Sequence, residues 1–422
     1  MKQNVLSKMG RRTGVPPISW LMQTALTRPK LISLAAGFTD NSTLPVKISR
    51  KVLNDILRSP KTGQPALQYG ITAGEMNLRT LTAKHLQKLD GGHDSAHSPE
   101  HVIITGGSQQ LLYMTLEALC DEGDIILVED PTYFVFLSIL QSRGIKARGV
   151  KLERDGIDLA HLEKVLEQLK KSGELRRVKA LYLVTYFQNP TGATTSLAKK
   201  AATLKLLKKY ERAAGHPLYL LEDAAYRELR FDHGEDVPTS LTLPGAAERV
   251  IYTGTYSKPY APGARVGFGI LPEEIFSVVQ YIKGNHDFGT ANLLQQLLAR
   301  ALSSGLYDQH VAKVQKNYAR KARVMKLALA EHFPKSVEIW ESGGGLYFWA
   351  RLPKGISAGV KSNVFQSALK ADVLYVPGEL CYADDASRAK PDNELRISFG
   401  SANEENIRKG IARLGKVLKK FV

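Results

Sequence analysis

From about residue 100 to residue 270 the chain alternates two hydrophobic rhythms. Short runs that are apolar at nearly every position predict strands buried on both faces. Longer stretches with apolar residues three and four apart predict helices that cover them. The runs are His101–Thr105, Asp124–Val128, Lys179–Thr185, Pro217–Leu221 and Arg249–Thr253, and Ser108–Leu119 is the clearest helix between them. Strands alternating with helices imply a mostly parallel sheet. Each run stops at a glycine, proline or polar turn, and open α/β sheets bind ligands outside those carboxyl ends.

Beyond residue 300 the rhythm changes. Leu302–Phe333 is helical with Lys and Arg interleaved, Ser336–Leu352 and Ala371–Pro377 read as strands, and Asn403–Val422 reads as a closing helix. Asp90–Glu100 is a polar loop. The expected fold is therefore α/β, a mostly parallel central sheet flanked by helices, with a smaller α+β domain. The 422 residues exceed what one core usually serves. The expected division is an N-terminal segment, 1–48, packing on the small domain, a large domain over 49–300 and a small domain over 301–422.

Composition narrows the function classes. Hydrophobic residues make up 43% and charged residues 23%, which supplies a large core without covalent staples. Two cysteines, Cys120 and Cys381, cannot form a disulfide framework and point to a reducing compartment, the cytoplasm. Cys120 closes an apolar run and reads as core. No apolar run reaches about 18 residues, so no membrane span is expected. The basic start (Lys2, Lys8, Arg11, Arg12) lacks the apolar stretch of a secretory signal. The net charge of +17 raises the question of a nucleic-acid partner. It is dispersed, however: Lys199, Lys200, Lys205, Lys208 and Lys209, like Lys416, Lys419 and Lys420, alternate with apolar residues and read as solvated helix faces. Neither a nucleic-acid nor a membrane partner is expected.

Four strand-end segments carry candidate chemistry. In Thr255-Tyr256-Ser257-Lys258, followed by Pro262-Gly263-Ala264-Arg265, hydroxyls and a guanidinium suit a phosphate ester, and the nearby cation would help keep a lysine amine neutral; a surface lysine in a turn fits equally. Asp223, ending Leu218–Asp223 with Tyr226 three residues on, could hold a ring nitrogen protonated or simply cap a helix. Asn189-Pro190-Thr191-Gly192 is a turn by its chemistry, whose amide could also meet a ligand oxygen. Thr105-Gly106-Gly107-Ser108-Gln109 can turn backbone amides toward an anion at a helix start, or be a plain turn; it matches neither a Walker loop nor a dinucleotide fingerprint.

Taken together and in this order, these segments resemble the fold-type I pyridoxal-phosphate (PLP) enzymes of aminotransferase class I/II. The chain is most similar to the branch of 2-aminoadipate, kynurenine and aromatic aminotransferases and to the aminotransferase-like domain of MocR regulators. The resemblance runs from about Pro17 to the C-terminus. It implies PLP as cofactor and transfer of an amino group from an aromatic, apolar or 2-aminoadipate-like amino acid to a 2-oxo acid such as 2-oxoglutarate. It implies Lys258 as the Schiff-base lysine and proton shuttle, Asp223 as partner of the ring nitrogen, and Tyr133, in Asp130-Pro131-Thr132-Tyr133, as the stacked aromatic. Asn189 and Tyr226 would bond the phenolic oxygen. Gly107, Ser108, Gln109, Thr255, Ser257 and Arg265 would hold the phosphate, joined by Tyr69 from a neighbouring subunit of a homodimer. Arg396, in Glu394-Leu395-Arg396-Ile397-Ser398, would clamp the substrate α-carboxylate. Gly37 and Asn189 would meet it too.

One departure bears on specificity. Where this branch often has Ile-Arg-Glu near the N-terminus, this chain has Ile18-Ser19-Trp20-Leu21-Met22-Gln23. The missing arginine favours aromatic or apolar side chains over acidic ones. Trp20 then reads either as an aromatic wall or as part of a helix packing across the dimer. His93, His97 and His101 are spaced four apart, but Gly91, Gly92 and Pro99 break the stretch, so a solvated loop rather than a metal site is expected. The rival functions are another PLP reaction on the same fold (a β-lyase, decarboxylase or synthase) and a PLP-sensing regulator. The few tens of residues before Gly37 are too short for the winged-helix domain that such a regulator needs.

Overall fold

The computed structural model describes residues 5–92, 97–231 and 236–422. In chain order its strands are β1 (Ile32–Ser33), β2 (Val102–Thr105), β3 (Ile125–Asp130), β4 (Lys146–Glu153), β5 (Gly156–Ile157), β6 (Val178–Val184) and β7 (Tyr219–Asp223). They continue with β8 (Val250–Thr255), β9 (Gly267–Ile270), β10 (Glu338–Trp340), β11 (Tyr347–Arg351), β12 (Val373–Leu374), β13 (Val376–Pro377) and β14 (Glu394–Ser398). The large sheet has the order β2-β9-β8-β7-β6-β3-β4-β5. Strands β8, β7, β6, β3 and β4 run parallel to one another, whereas β9 is antiparallel to both β2 and β8 and β5 is antiparallel to β4. The carboxyl ends of β2, β3, β6, β7 and β8 therefore open on one edge of the sheet.

The five runs read from the sequence are β2, β3, β6, β7 and β8, each displaced by a few residues at most. Alternate residues feed two cores. Ile126, Val128, Tyr182 and Val184 face one side, and Ile125, Leu127, Leu181 and Leu183 face the other. Phe136 stacks on Tyr182 with ring centroids 3.8 Å apart. Each such buried side chain contributes about 1.5–3 kcal/mol, which explains runs with no polar alternation. The first core is continuous with the interior of the smaller sheet, including Trp349, Val376 and Ile397.

The smaller sheet is antiparallel in the order β10-β11-β14-β13, and the long helix Leu306–His332 packs on the closing helix Glu404–Leu418. The segment before it joins in through β1, which pairs in parallel with β12.

Some expectations need correction. Ser336–Leu352 is two strands with a loop between them, and the helix read from Leu302 is broken where Gly305 adopts φ +71°. Lys200 is fully buried and paired with Glu222 at 2.9 Å, not on a solvated face. His97 is likewise buried, 2.9 Å from Asp90. His93 lies outside the described residues, and His101 closes a short 3₁₀ turn.

Strand β9, Gly267-Phe268-Gly269-Ile270, is half glycine and carries no continuous apolar run. Its glycines let helix Ser108–Leu119 lie close: a Cβ on Gly267 would be 2.5 Å from the Ser108 nitrogen, and one on Gly269 would be 2.3 Å from Leu111. Backbone cannot move aside cheaply. Gly267→Ala is therefore expected to destabilise the protein by about 2 kcal/mol or more. Gly263→Ala, where an added Cβ meets nothing within 4 Å, should stay within about 0.5 kcal/mol. Urea unfolding of the two variants checks this, and equal midpoints would refute it.

Candidate active site

Each strand that ends on the open edge delivers one group. After β2, Gly107 takes φ +94° and precedes helix Ser108–Leu119, which carries no acidic residue in its first turn. After β3, Tyr133 stands at the start of helix Phe134–Arg143. The turn after β6 brings Asn189, β7 ends on Asp223, and β8 leads through Thr255 and Ser257 to Lys258. A cavity of about 240 Å³ is lined by Gly107, Ser108, Gln109, Tyr133, Asn189, Asp223, Tyr226, Thr255, Ser257, Lys258 and Arg265. Phe38, Leu112, Val184, Ala225 and Pro262, which the sequence did not single out, complete it.

Gly37 and Arg396 border this cavity through hydrogen bonds. The Lys258 amine donates to the Gly37 carbonyl at 3.0 Å. Arg396 donates from Nη1 to Asn189 Oδ1 and from Nη2 to the Ala35 carbonyl, each at 2.6 Å, while its buried Nε has no hydrogen-bond partner. Tyr69 is elsewhere: it is 84% exposed, with its ring edge-on to Phe288 at 5.6 Å. Trp20 does not line the cavity; its ring lies 5.9 Å from Phe365, which corrects its reading as an aromatic wall of this subunit's site.

A larger cleft of about 470 Å³ lies beyond the Asn-Pro-Thr-Gly turn, beside Trp340. Its arginines are already committed, Arg154 to Glu338 at 3.2 Å and Arg230 to Asp236 at 3.5 Å. The smaller cavity is the one with unusual electrostatics.

Burial, then Arg396 and Arg265, pushes the Lys258 amine down from 10.5 to about 8, with Asp223 opposing. Burial pushes Asp223 up to about 6, against hydrogen bonds from Tyr182 at 2.8 Å and the Ala225 amide at 3.0 Å. Burial also raises the hydroxyls of Tyr133 and Tyr226, so both stay protonated. At the other end Arg265, with φ +50°, donates to the Gly106 carbonyl at 3.1 Å and to Ser257 Oγ at 3.4 Å. A Cβ on Gly107 would meet its guanidinium at 2.6 Å.

The donors are thus sorted by charge. One end offers a helix start, two hydroxyls and a guanidinium, which suits a phosphate. The other offers a dry carboxylate that, among the described residues, makes no ion pair, which suits a protonated ring nitrogen. A lysine of lowered basicity lies between them. These residues fit pyridoxal phosphate. The fold and the cavity define a fold-type I pyridoxal-phosphate enzyme.

Comparison with known proteins narrows the class. Residues 29–414 match the family described as aminotransferase class I and II. A 2-aminoadipate transaminase of Thermus thermophilus is 33% identical, with 93% of this chain and 91% of that protein covered. Aromatic-amino-acid aminotransferase 1 of Thermococcus litoralis is 32% identical, with 92% and 88% covered. A Pyrococcus horikoshii kynurenine aminotransferase, solved with PMP, superposes with a TM-score of 0.88 at 32% identity, covering 99% of this chain and 97% of that one. The chain belongs to the aminotransferase class I and II family; it is an aminotransferase, and pyridoxal phosphate is its cofactor.

Because the Lys258 amine titrates near 8 rather than 10.5, the cofactor-free protein is expected to take up pyridoxal phosphate at a rate that rises with pH and levels off above about 8. Asp223→Asn removes the one charge that opposes deprotonation and should move the midpoint lower. Stopped-flow absorbance across pH checks both directions; a midpoint near 10.5 would show the amine to be solvated.

Proposed function

We propose that this aminotransferase acts on amino acids with aromatic or apolar side chains, passing the amino group to a 2-oxo acid. The observation that carries the substrate class is the make-up of the cavity. Its cations are Lys258, Arg265 and the bordering Arg396, and among the described residues no other Lys or Arg lines it. An acidic side chain thus finds no spare partner within the subunit. Half-exposed Phe38, with Leu112 and Tyr133, offers apolar surface instead.

The same geometry supports a role for each residue. Gly107, Ser108, Gln109, Thr255, Ser257 and Arg265 hold the phosphate, Asp223 holds the ring nitrogen protonated, and Tyr133 stacks on the ring. Asn189 and Tyr226 bond the phenolic oxygen. When bound, pyridoxal phosphate supplies a carbonyl for the amino group and a cationic ring that accepts the electrons left as the substrate Cα loses its proton. Lys258 would be the base that takes up and carries that proton, a task its lowered basicity suits near neutral pH. Arg396 orients the α-carboxylate with its planar fork, helped by Asn189 and the Gly37 backbone. The surrounding burial keeps water from competing for the proton.

The functional unit is a homodimer in which Tyr69 reaches the neighbouring subunit's phosphate. Support comes from the exposed apolar group Leu67, Tyr69, Ile71 and Phe288. A patch of this kind on a folded surface marks a contact with another chain.

Two outcomes test the reading. With a 2-oxo acid that lacks a side-chain carboxylate, such as pyruvate, as common acceptor, kcat/KM for phenylalanine or leucine should exceed that for 2-aminoadipate by about tenfold or more, since one unpaired buried carboxylate costs well over 1.4 kcal/mol. A preference for the acidic substrate would overturn the assignment. Arg396→Ala should lower kcat/KM by roughly 10²–10³ through loss of a charge-assisted pair, and Lys258→Ala should abolish turnover while the protein stays folded. Steady-state kinetics and a thermal melt of each variant decide.

A further inference from the structure

Tyr347 belongs to none of the strand-end segments. It starts β11, in the smaller sheet, yet its hydroxyl lies 3.0 Å from that of Tyr226 in the cavity wall. Both side chains are buried, at 1% and 6% exposure. The same ring lies 4.3 Å below the Arg396 guanidinium. Its hydroxyl also presses on the backbone that receives Lys258: a Cβ on Gly37 would be 2.5 Å from it.

Two hydroxyls can share a hydrogen bond in either direction, so proton counting decides between them. Arg396 Nη1 donates to Asn189 Oδ1 at 2.6 Å, which fixes the orientation of the Asn189 amide. Its NH₂ group therefore faces Tyr226 and donates to that hydroxyl at 3.3 Å. One lone pair of the Tyr226 oxygen is thereby occupied. The Tyr347 hydroxyl makes no other hydrogen bond among the described residues. If Tyr226 donated to it, the Tyr347 proton would be buried without an acceptor, an arrangement that folded proteins avoid. If Tyr347 donates, both lone pairs of Tyr226 are filled and its single proton has only the cavity to point into.

We propose that Tyr347 is a positioning residue that donates to Tyr226 and so commits the Tyr226 proton to the ligand. The inference rests on the reading that Tyr226 bonds the cofactor's phenolic oxygen. Tyr347 does not touch that oxygen; it acts through Tyr226. Chained hydroxyls polarise one another, so the donor at the end of the chain is strengthened by about 10–30%. A stronger donor stabilises the anionic oxygen. The neighbouring lysine nitrogen then gives up its proton at a lower pH.

The test is the pH midpoint of the visible absorption of the holoenzyme in four proteins: wild type, Tyr226→Phe, Tyr347→Phe and the double variant. Tyr226→Phe should raise the midpoint by about 1–2 pH units. Tyr347→Phe keeps the ring beneath Arg396 and should raise it by roughly 10–30% of that amount, with KM for the α-carboxylate substrate unchanged. The double variant should match Tyr226→Phe alone, because the effect passes through that hydroxyl. An unchanged midpoint in Tyr347→Phe, beside a shifted one in Tyr226→Phe, overturns the proposal and leaves the site assignment standing. Equal rises on adding Tyr347→Phe to either background also overturn it. No shift in Tyr226→Phe overturns both. A thermal melt accompanies each variant, and loss of only one hydroxyl from an intact ring keeps the core filled.

Discussion

The site depends on removing a lysine amine from water. Lys258 sits in a cavity whose other cations, Arg396 and Arg265, repel its charge, and whose one carboxylate, Asp223, is itself held dry. Neither ion is in a comfortable place alone, and the two are not hydrogen-bonded to each other. The arrangement persists because the surrounding fold is rigid: two continuous cores clamp the sheet whose strand ends carry both groups. Strained electrostatics is what a proton-transfer site requires, since a lysine of ordinary basicity would stay protonated near neutral pH.

The topology makes that placement possible. Strand β9 runs antiparallel to both β2 and β8, so Arg265, which precedes β9, meets the Gly106–Gly107 turn, which follows β2. At the other side, β11 and β14 pair so that Trp349 is opposite Arg396 and Tyr347 opposite Ser398. The smaller sheet therefore presents a guanidinium and a phenol to a cavity built almost wholly by the larger one. Its attachment through the shared core keeps those groups within hydrogen-bond reach.

Much of this was legible in the sequence because the relevant signals are local. Buried parallel strands are apolar runs, and the groups at their ends follow within a few residues, so the turns around Gly107, Asn189 and Lys258 could be read from the chain itself. What was missed is non-local or lacks a hydrophobic signature. Strand β4 is interrupted by Lys146, Arg148, Lys151 and Glu153, three of them exposed and Arg148 paired with Asp385, which hides it from a reading based on continuous apolarity. Strand β9 is half glycine because a helix lies against it. Lys200 looks like one more basic surface residue, and only the fold reveals Glu222 beside it. Tyr347 is 121 positions from Tyr226, and nothing in its own segment, Gly345-Leu346-Tyr347-Phe348, advertises a role.

The unmade hydrogen bonds are as informative as those formed. Buried polar atoms without partners are uncommon in folded proteins and call for an explanation. Arg396 satisfies its two terminal nitrogens with Asn189 and Ala35 and leaves Nε without a hydrogen bond. A guanidinium this buried, sandwiched between Phe134 at 5.4 Å and Tyr347 at 4.3 Å, is held in plane by aromatic faces rather than by a carboxylate. The protein thus orients the fork without neutralising it. A positive charge kept oriented and unpaired in a dry wall is incomplete until an anion arrives. In the proposed reaction that anion is the substrate's α-carboxylate, and its arrival would screen Arg396 from Lys258. Binding and basicity are then coupled through a single charge: the carboxylate that anchors the substrate also makes the nearby amine a stronger base.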